Sequence, residues 1–206
     1  VFSIRSVLIW AGLVAAIAVP TVVAAKSPYL QWRDPVYIMA GFAGVLALGL
    51  MLAQPLLAGG QLPGLPARRG RAVHRIVGLV LILAIVVHVV GLGITSPPDL
   101  LDALLFAAPT AFSLWGVLAM WALLAAAGLA AFRARIRPRI WRLGHTILVG
   151  FTVIASAIHA LLIEGTMGTG SKVALCLLVT GATVWTILQL RAWSWLLRRR
   201  DVPERS

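Results

Sequence analysis

The chain has 206 residues, of which 61% are hydrophobic and 12% charged, yet its formal net charge is +12. Soluble domains carry roughly 45–50% apolar and about 25% charged residues, so a soluble globular enzyme is excluded: one core of this size cannot take up so much apolar surface. At about 20 residues per transmembrane helix, the length accommodates six spans with short loops and leaves no room for a separate nucleotide-binding domain.

Taken in order, near-continuous apolar runs occupy 4–25, 35–58, 73–95, 110–132, 141–163 and 171–196. Each is long enough to cross a bilayer, and at this apolarity only a helix satisfies its own backbone in lipid. The predicted fold is therefore an all-α membrane protein, a six-helix bundle. The first run resembles a signal peptide at Val23–Ala25, but it is read as a helix. The connectors carry loop signals: Pro28 and Pro35, then a Gly-, Pro- and Arg-rich stretch from Gly59 to Arg71, then Pro97 and Pro98, then alternating arginines from Arg133 to Arg139. The segment from Pro98 to Phe106 is long enough for a short interfacial helix.

Cationic residues set the orientation. One side receives Arg5, Arg68, Arg69, Arg71, Arg75, Arg133, Arg135, Arg137, Arg139, Arg142, Arg191, Arg198, Arg199, Arg200 and Arg205. The other receives only Lys26, Arg33 and Lys172. Both termini are thus expected in the cytoplasm, with the chain a multi-pass protein of a bacterial inner membrane. The arginines read as topology determinants and contacts to membrane lipids, and not as a nucleic-acid surface. Cys176 is the single cysteine, so no thiolate cluster and no intramolecular disulfide exists.

All four histidines fall on two spans: His74 and His88 on the third, His145 and His159 on the fifth. Both separations are 14 residues, about 40° short of four full turns, so each pair shares one helix face at levels about 21 Å apart. Third and fifth spans run in the same direction. His74 therefore matches His145 in depth near the cytoplasmic end, and His88 matches His159 toward the outer side. Histidine inside a membrane is costly and by default functional. Two facing imidazoles with no acidic companion suit axial ligation of a haem plane, whereas zinc would want three or four converging ligands. The competing reading is four unrelated packing histidines, which does not account for matched spacing and register. The expectation is a dihaem core between the third and fifth spans, with metal ligands His74, His145, His88 and His159.

Both helices also read Arg-x-x-His-x(13)-His, from Arg71 and from Arg142. Arginines one turn from the ligands suit haem propionates, with Arg75 a third candidate; positive-inside topology would place them there regardless. Gly78, Gly91, Gly93, Gly144 and Gly150 permit close approach of a macrocycle or, equally, of another helix. Phe151 lies between the two histidine levels and on sequence grounds reads as packing.

These residues resemble the ferric reductase-like transmembrane domain, the superfamily of NADPH oxidases, ferric reductases and the haem-binding membrane subunit of bacterial methionine sulfoxide reductase systems. The resemblance covers essentially the whole chain, 1–206, as one domain, and its specificity lies in the stretches Arg71–His88 and Arg142–His159. It implies two stacked, non-covalent b-type haems, the inner on His74 and His145 and the outer on His88 and His159, with Phe151 where the oxidases place an aromatic between haems. Two departures stand out. Oxidases and ferric reductases continue into flavin and NAD(P)H domains that this sequence does not contain, so flavin is expected only through a partner. Leu92 stands where dedicated oxidases carry a further histidine.

The predicted function is transmembrane electron transfer, as the membrane haem subunit of an oxidoreductase. The donor would be a cytoplasmic flavoreductase or a quinol, and the acceptor ferric iron or a periplasmic redox partner on the outer side. No acid–base or nucleophilic catalytic set is visible. The rivals are a quinone-reactive dihaem cytochrome b, whose quinol-oxidation motif is not found, and a haem-free transporter or assembly factor, whose broken helices and polar midplane are not found either.

Overall fold

A computed structural model describes residues 3–190. It is all helical among those residues: α1 Ile4–Ala25, α2 Pro35–Ala58, α3 Ala67–Thr95, a short α4 Pro97–Leu104, α5 Ala111–Ala131, α6 Pro138–Leu162 and α7 Thr169–Leu190, with single 3-10 turns at Pro28–Leu30 and Arg133–Arg135. Six of these helices are long and apolar enough to cross a membrane, all but α4. The protein is a multi-pass membrane protein.

The element starts follow the local chemistry. Proline occupies the first turn of α2, α4 and α6, where its missing N–H would have no partner in any case. Asp34 accepts from Val36 N–H at 2.7 Å and caps α2, and Ser3 accepts from Ser6 N–H to start α1. The third long helix begins at Ala67, six residues before the apolar run that marks it in the sequence. Hydropathy ends where the bilayer ends, whereas the arginines from Arg68 to Arg75 are good helix formers and carry the helix on into the headgroup region. The predicted interfacial segment forms α4. The last predicted span extends to 196, and its final six residues, like Arg191, Arg198, Arg199, Arg200 and Arg205, lie outside the described residues.

Helix α2 is the centre of the bundle. Val45, Ala47, Leu48, Met51 and Leu52 are buried on it against Leu81 and Ala84 of α3, Val153 and Ala157 of α6, and Leu175, Cys176 and Val179 of α7. Many of these are small, so the helices pack through close backbone approach. Large apolar side chains such as Leu79, Leu83, Ile147, Leu177 and Leu188 point outward, toward lipid. The last turn of α2 and the loop after it are strapped to the arginine-rich end of the bundle. Trp10 Nε1 donates to the Pro63 carbonyl at 3.2 Å, Gln61 Nε2 donates to Gln189 Oε1 at 2.9 Å, and Thr186 Oγ1 donates to the Pro55 carbonyl at 3.2 Å.

Packing is pairwise: α3 lies mainly on α2 and α6 mainly on α5, while α3 and α6 do not pack closely on each other. The two histidine-bearing helices therefore face one another with room between them.

Lys172, on the arginine-poor side, has a structural partner. It is buried at the start of α7, and its Nζ donates to the carbonyl of Ile163, the C-cap residue just past α6. Rather than sitting in solvent, this cation caps the negative end of a helix dipole.

Candidate functional site

His88 (α3) and His159 (α6) face each other. Their ring centroids are 6.4 Å apart with planes at 80°. An ion held between two imidazole nitrogens at about 2.0–2.1 Å from each would set the centroids roughly 6–6.5 Å apart. The spacing fits a shared metal and is too long for a direct ring–ring hydrogen bond.

Neighbouring helices hold the rings. His88 Nδ1 lies 2.8 Å from the Ala40 carbonyl of α2, and His159 Nδ1 lies 2.7 Å from the Phe112 carbonyl of α5. A carbonyl only accepts, so Nδ1 carries the proton in both rings and Nε2 is left with a free lone pair. That is the ligand tautomer, oriented by a hydrogen bond from the other ring nitrogen.

Each ring reaches its carbonyl through a gap in the neighbouring helix. Gly44 stands one turn beyond Ala40, and a Cβ there would come within 2.9 Å of His88 Nδ1. Gly116 stands one turn beyond Phe112, and a Cβ there would come within 2.7 Å of His159 Nδ1 and Cε1. A helix carbonyl is flanked by the side chain four residues on; removing that side chain admits the imidazole.

His74 (α3) and His145 (α6) stand 14 residues along the same two helices, at the arginine-rich end. His74 Nδ1 lies 3.2 Å from the Gln54 carbonyl, and Gln54 Nε2 donates back to the His74 carbonyl at 3.3 Å. His145 stacks on Trp141, with centroids 5.5 Å apart and planes at 13°. Its Nδ1 is buried without a hydrogen bond; the Ala126 carbonyl lies toward it but hydrogen-bond geometry is not reached.

The structure thus brings His88 and His159 together across the helices, and it sets His74 and His145 on the same two helices at the other level. Among the described residues no three His, Cys, Asp or Glu side chains converge, so a zinc-type cage is not built. Two opposed neutral imidazoles suit a planar cofactor that brings its own equatorial ligands.

The other predicted residues are more peripheral. Arg71, Arg75 and Arg142 are exposed beside the His74–His145 level, and Arg142 Nε donates to the Pro138 carbonyl. Phe151 is partly exposed on α6 between the two levels; it stands about 80° round the helix from His159 and about 120° from His145, at the border of the ligand face. The ligand-helix glycines mostly serve helix packing: Gly91 meets Ala40, Gly93 lies under Leu100 of α4, and Gly144 meets Leu129.

Gly44, Gly116 and the four carbonyls are not marked on the histidine-bearing helices and lie outside the residues expected from the sequence. A signal was present. Residues Gly44–Ala47 and Gly116–Ala119 both read GVLA, 72 residues apart. Ala40 and Phe112 share that offset, as do Gln54 and Ala126, while the two histidine pairs are offset by 71. The helix pair α2–α3 is repeated as α5–α6, and the repeat carries ligand, carbonyl and glycine together.

The family model of the ferric reductase-like transmembrane component matches residues 11–156. That is more than half of the chain, which therefore belongs to this family. The matched stretch contains His74, His88 and His145 and stops three residues before His159. Neither the curated proteins nor the solved structures include a match.

Proposed function

We propose that this member of the ferric reductase-like transmembrane family carries electrons across the bacterial inner membrane through two non-covalent haems b. His74 and His145 would hold the one on the cytoplasmic side, and His88 and His159 the one on the outer side. The 6.4 Å separation of the His88 and His159 rings across the gap between α3 and α6, with both Nδ1 atoms turned to helix carbonyls, carries this reading. Family membership supports it, since the family typically binds haem and serves transmembrane electron transfer.

Bound there, haem supplies a one-electron iron couple. The chain's own part is to hold and insulate. The Ala40 and Phe112 carbonyls fix two imidazoles in the neutral tautomer, and Gly44 and Gly116 let the rings reach them. The apolar α2 core beside α3 and α6 excludes water and keeps the local dielectric low. Arg71, Arg75 and Arg142 would pair with propionates, and Phe151 would border the space between the two levels. The concentration of arginine at one end assigns that end to the cytoplasm. A flavoreductase or quinol would deliver electrons there, and ferric iron or a periplasmic redox protein would receive them opposite.

The test is a reduced-minus-oxidised spectrum of the purified protein with a haem-to-protein ratio. Two low-spin b-type haems per chain are expected, reducible by a cytoplasmic flavoreductase and re-oxidised by ferric chelates. A colourless preparation refutes the reading.

A further inference from the structure

The repeat of α2–α3 in α5–α6 makes its own departures informative. At the outer level the two halves are alike: a backbone carbonyl, a glycine one turn on, and a hydrogen bond of 2.8 or 2.7 Å. At the arginine-side level the residues one turn beyond the two carbonyls are Ala58 and Ala130. The corresponding bond is longer at His74, 3.2 Å, and is not made at His145. Backbone anchoring is weaker where glycine is replaced by alanine.

Only one half compensates with a polar side chain. Gln54 is the repeat counterpart of Ala126, an amide in place of a methyl group inside a membrane helix. Its Nε2 donates to the His74 carbonyl, so Gln54 grips His74 twice, through its own carbonyl to the ring and through its side chain to the backbone. The approach is close: a Cβ at Gly78 would lie 3.3 Å from Gln54 Nε2. The amide cannot be turned round, because Oε1 would then face a second carbonyl oxygen. Oε1 is consequently buried without a partner. An unpaired buried acceptor is costly, and alanine in the other half shows that the helix frame accommodates a residue without that cost. An amide kept under those conditions points to a role at His74.

We propose that Gln54 is a positioning residue that fixes the ring orientation of His74 and makes the arginine-side site inequivalent to its outer counterpart. This rests on the haem reading above. When haem is bound, the angle between the two imidazole planes governs the low-spin electron paramagnetic resonance signal. The prediction is therefore spectroscopic.

Three proteins are compared in the full chain: wild type, Gln54→Ala, which installs the residue of the other half, and Gln54→Met, which keeps the volume without the amide. His74→Ala assigns the arginine-side signal by its loss. Both Gln54 variants are expected to retain two haems per chain, to shift the low-spin g values and midpoint potential of the arginine-side haem, and to leave the outer signal in place. A wild-type signal in Gln54→Met would show that volume suffices and would overturn the proposal, as would equal shifts of both haems. Two wild-type haem signals unmoved in Gln54→Ala would overturn this inference alone. A colourless wild-type protein would overturn the haem reading and this inference with it.

Discussion

A methyl group added at Gly44 or Gly116 should damage the site directly, and the size of the effect can be worked out. In Gly44→Ala the new Cβ would stand 2.9 Å from His88 Nδ1 and 3.1 Å from Cε1; in Gly116→Ala it would stand 2.7 Å from both atoms of His159. Ordinary contact begins at about 3.5 Å, so each ring must retreat by roughly 0.6 Å or more. That retreat stretches Nδ1···O bonds of 2.8 and 2.7 Å toward the limit of hydrogen bonding. Overpacking costs about 1–3 kcal/mol and a lost hydrogen bond about 0.5–1.5 kcal/mol, offset by about 0.5–1 kcal/mol from replacing glycine in a helix. A net loss of about 1–3 kcal/mol should appear as a lower temperature of haem release on heating in detergent, and as substoichiometric outer-site haem. Gly41 and Gly128, on the same two helices, have nothing within 4 Å of the corresponding Cβ. Gly41→Ala and Gly128→Ala should be neutral or slightly stabilising. If all four variants behave alike, the rings do not lie against α2 and α5 and the site geometry is wrong.

Ligand pairing gives a second expectation: His74→Ala and His145→Ala should abolish the same spectral component, and His88→Ala and His159→Ala the other. Loss of different components within a pair, read by redox-titrated difference spectra, would break the assignment. Lys172→Met removes the buried donor to the Ile163 carbonyl. It should cost about 1.5–3 kcal/mol, typical of a charged hydrogen bond, measured as thermal unfolding, with partial recovery in Lys172→Arg. Thr186→Val deletes the donor to the Pro55 carbonyl and should lower stability by about 1 kcal/mol. Arg69→Cys and Arg135→Cys should be labelled by an impermeant thiol reagent only from the cytoplasmic side, Cys176 being buried and silent.

Much of the architecture is legible in the residues because lipid restricts the choices. Five of the six spans lie within three residues of their hydropathic limits at every end that can be compared. The exception, α3, starts early because arginines support helix where hydropathy no longer does. The histidine pairs are legible for a geometric reason, since a spacing of 14 on two co-directional helices leaves one sensible register. The surroundings of the rings were harder to read. Their hydrogen-bond acceptors are backbone carbonyls, which any residue supplies and no letter marks. Gly44 and Gly116 look like ordinary membrane-helix glycines until the rings are placed beside them. The partner of Lys172 is not legible for the same reason, since the Ile163 carbonyl it meets is backbone and no letter marks it.

The repeated helix pair ties these observations into one physical argument. A helix carbonyl already accepts the N–H four residues on, but keeps a second lone pair for another donor. An imidazole can use that lone pair only if the side chain one turn on stays out of the way. Where that residue is glycine the bonds are 2.8 and 2.7 Å. Where it is alanine, at 58 and 130, one bond lengthens to 3.2 Å and the other is absent. The outer histidines are thus held by backbone alone, and rigidly, since helix carbonyls have no rotamers to lose. The arginine-side histidines need side chains: an amide for His74 and an indole face for His145. Side chains can be exchanged independently of the frame, so this architecture fixes one ligand pair and leaves the other open to tuning. The tunable pair stands at the arginine-rich end, where the proposed electron donor would dock.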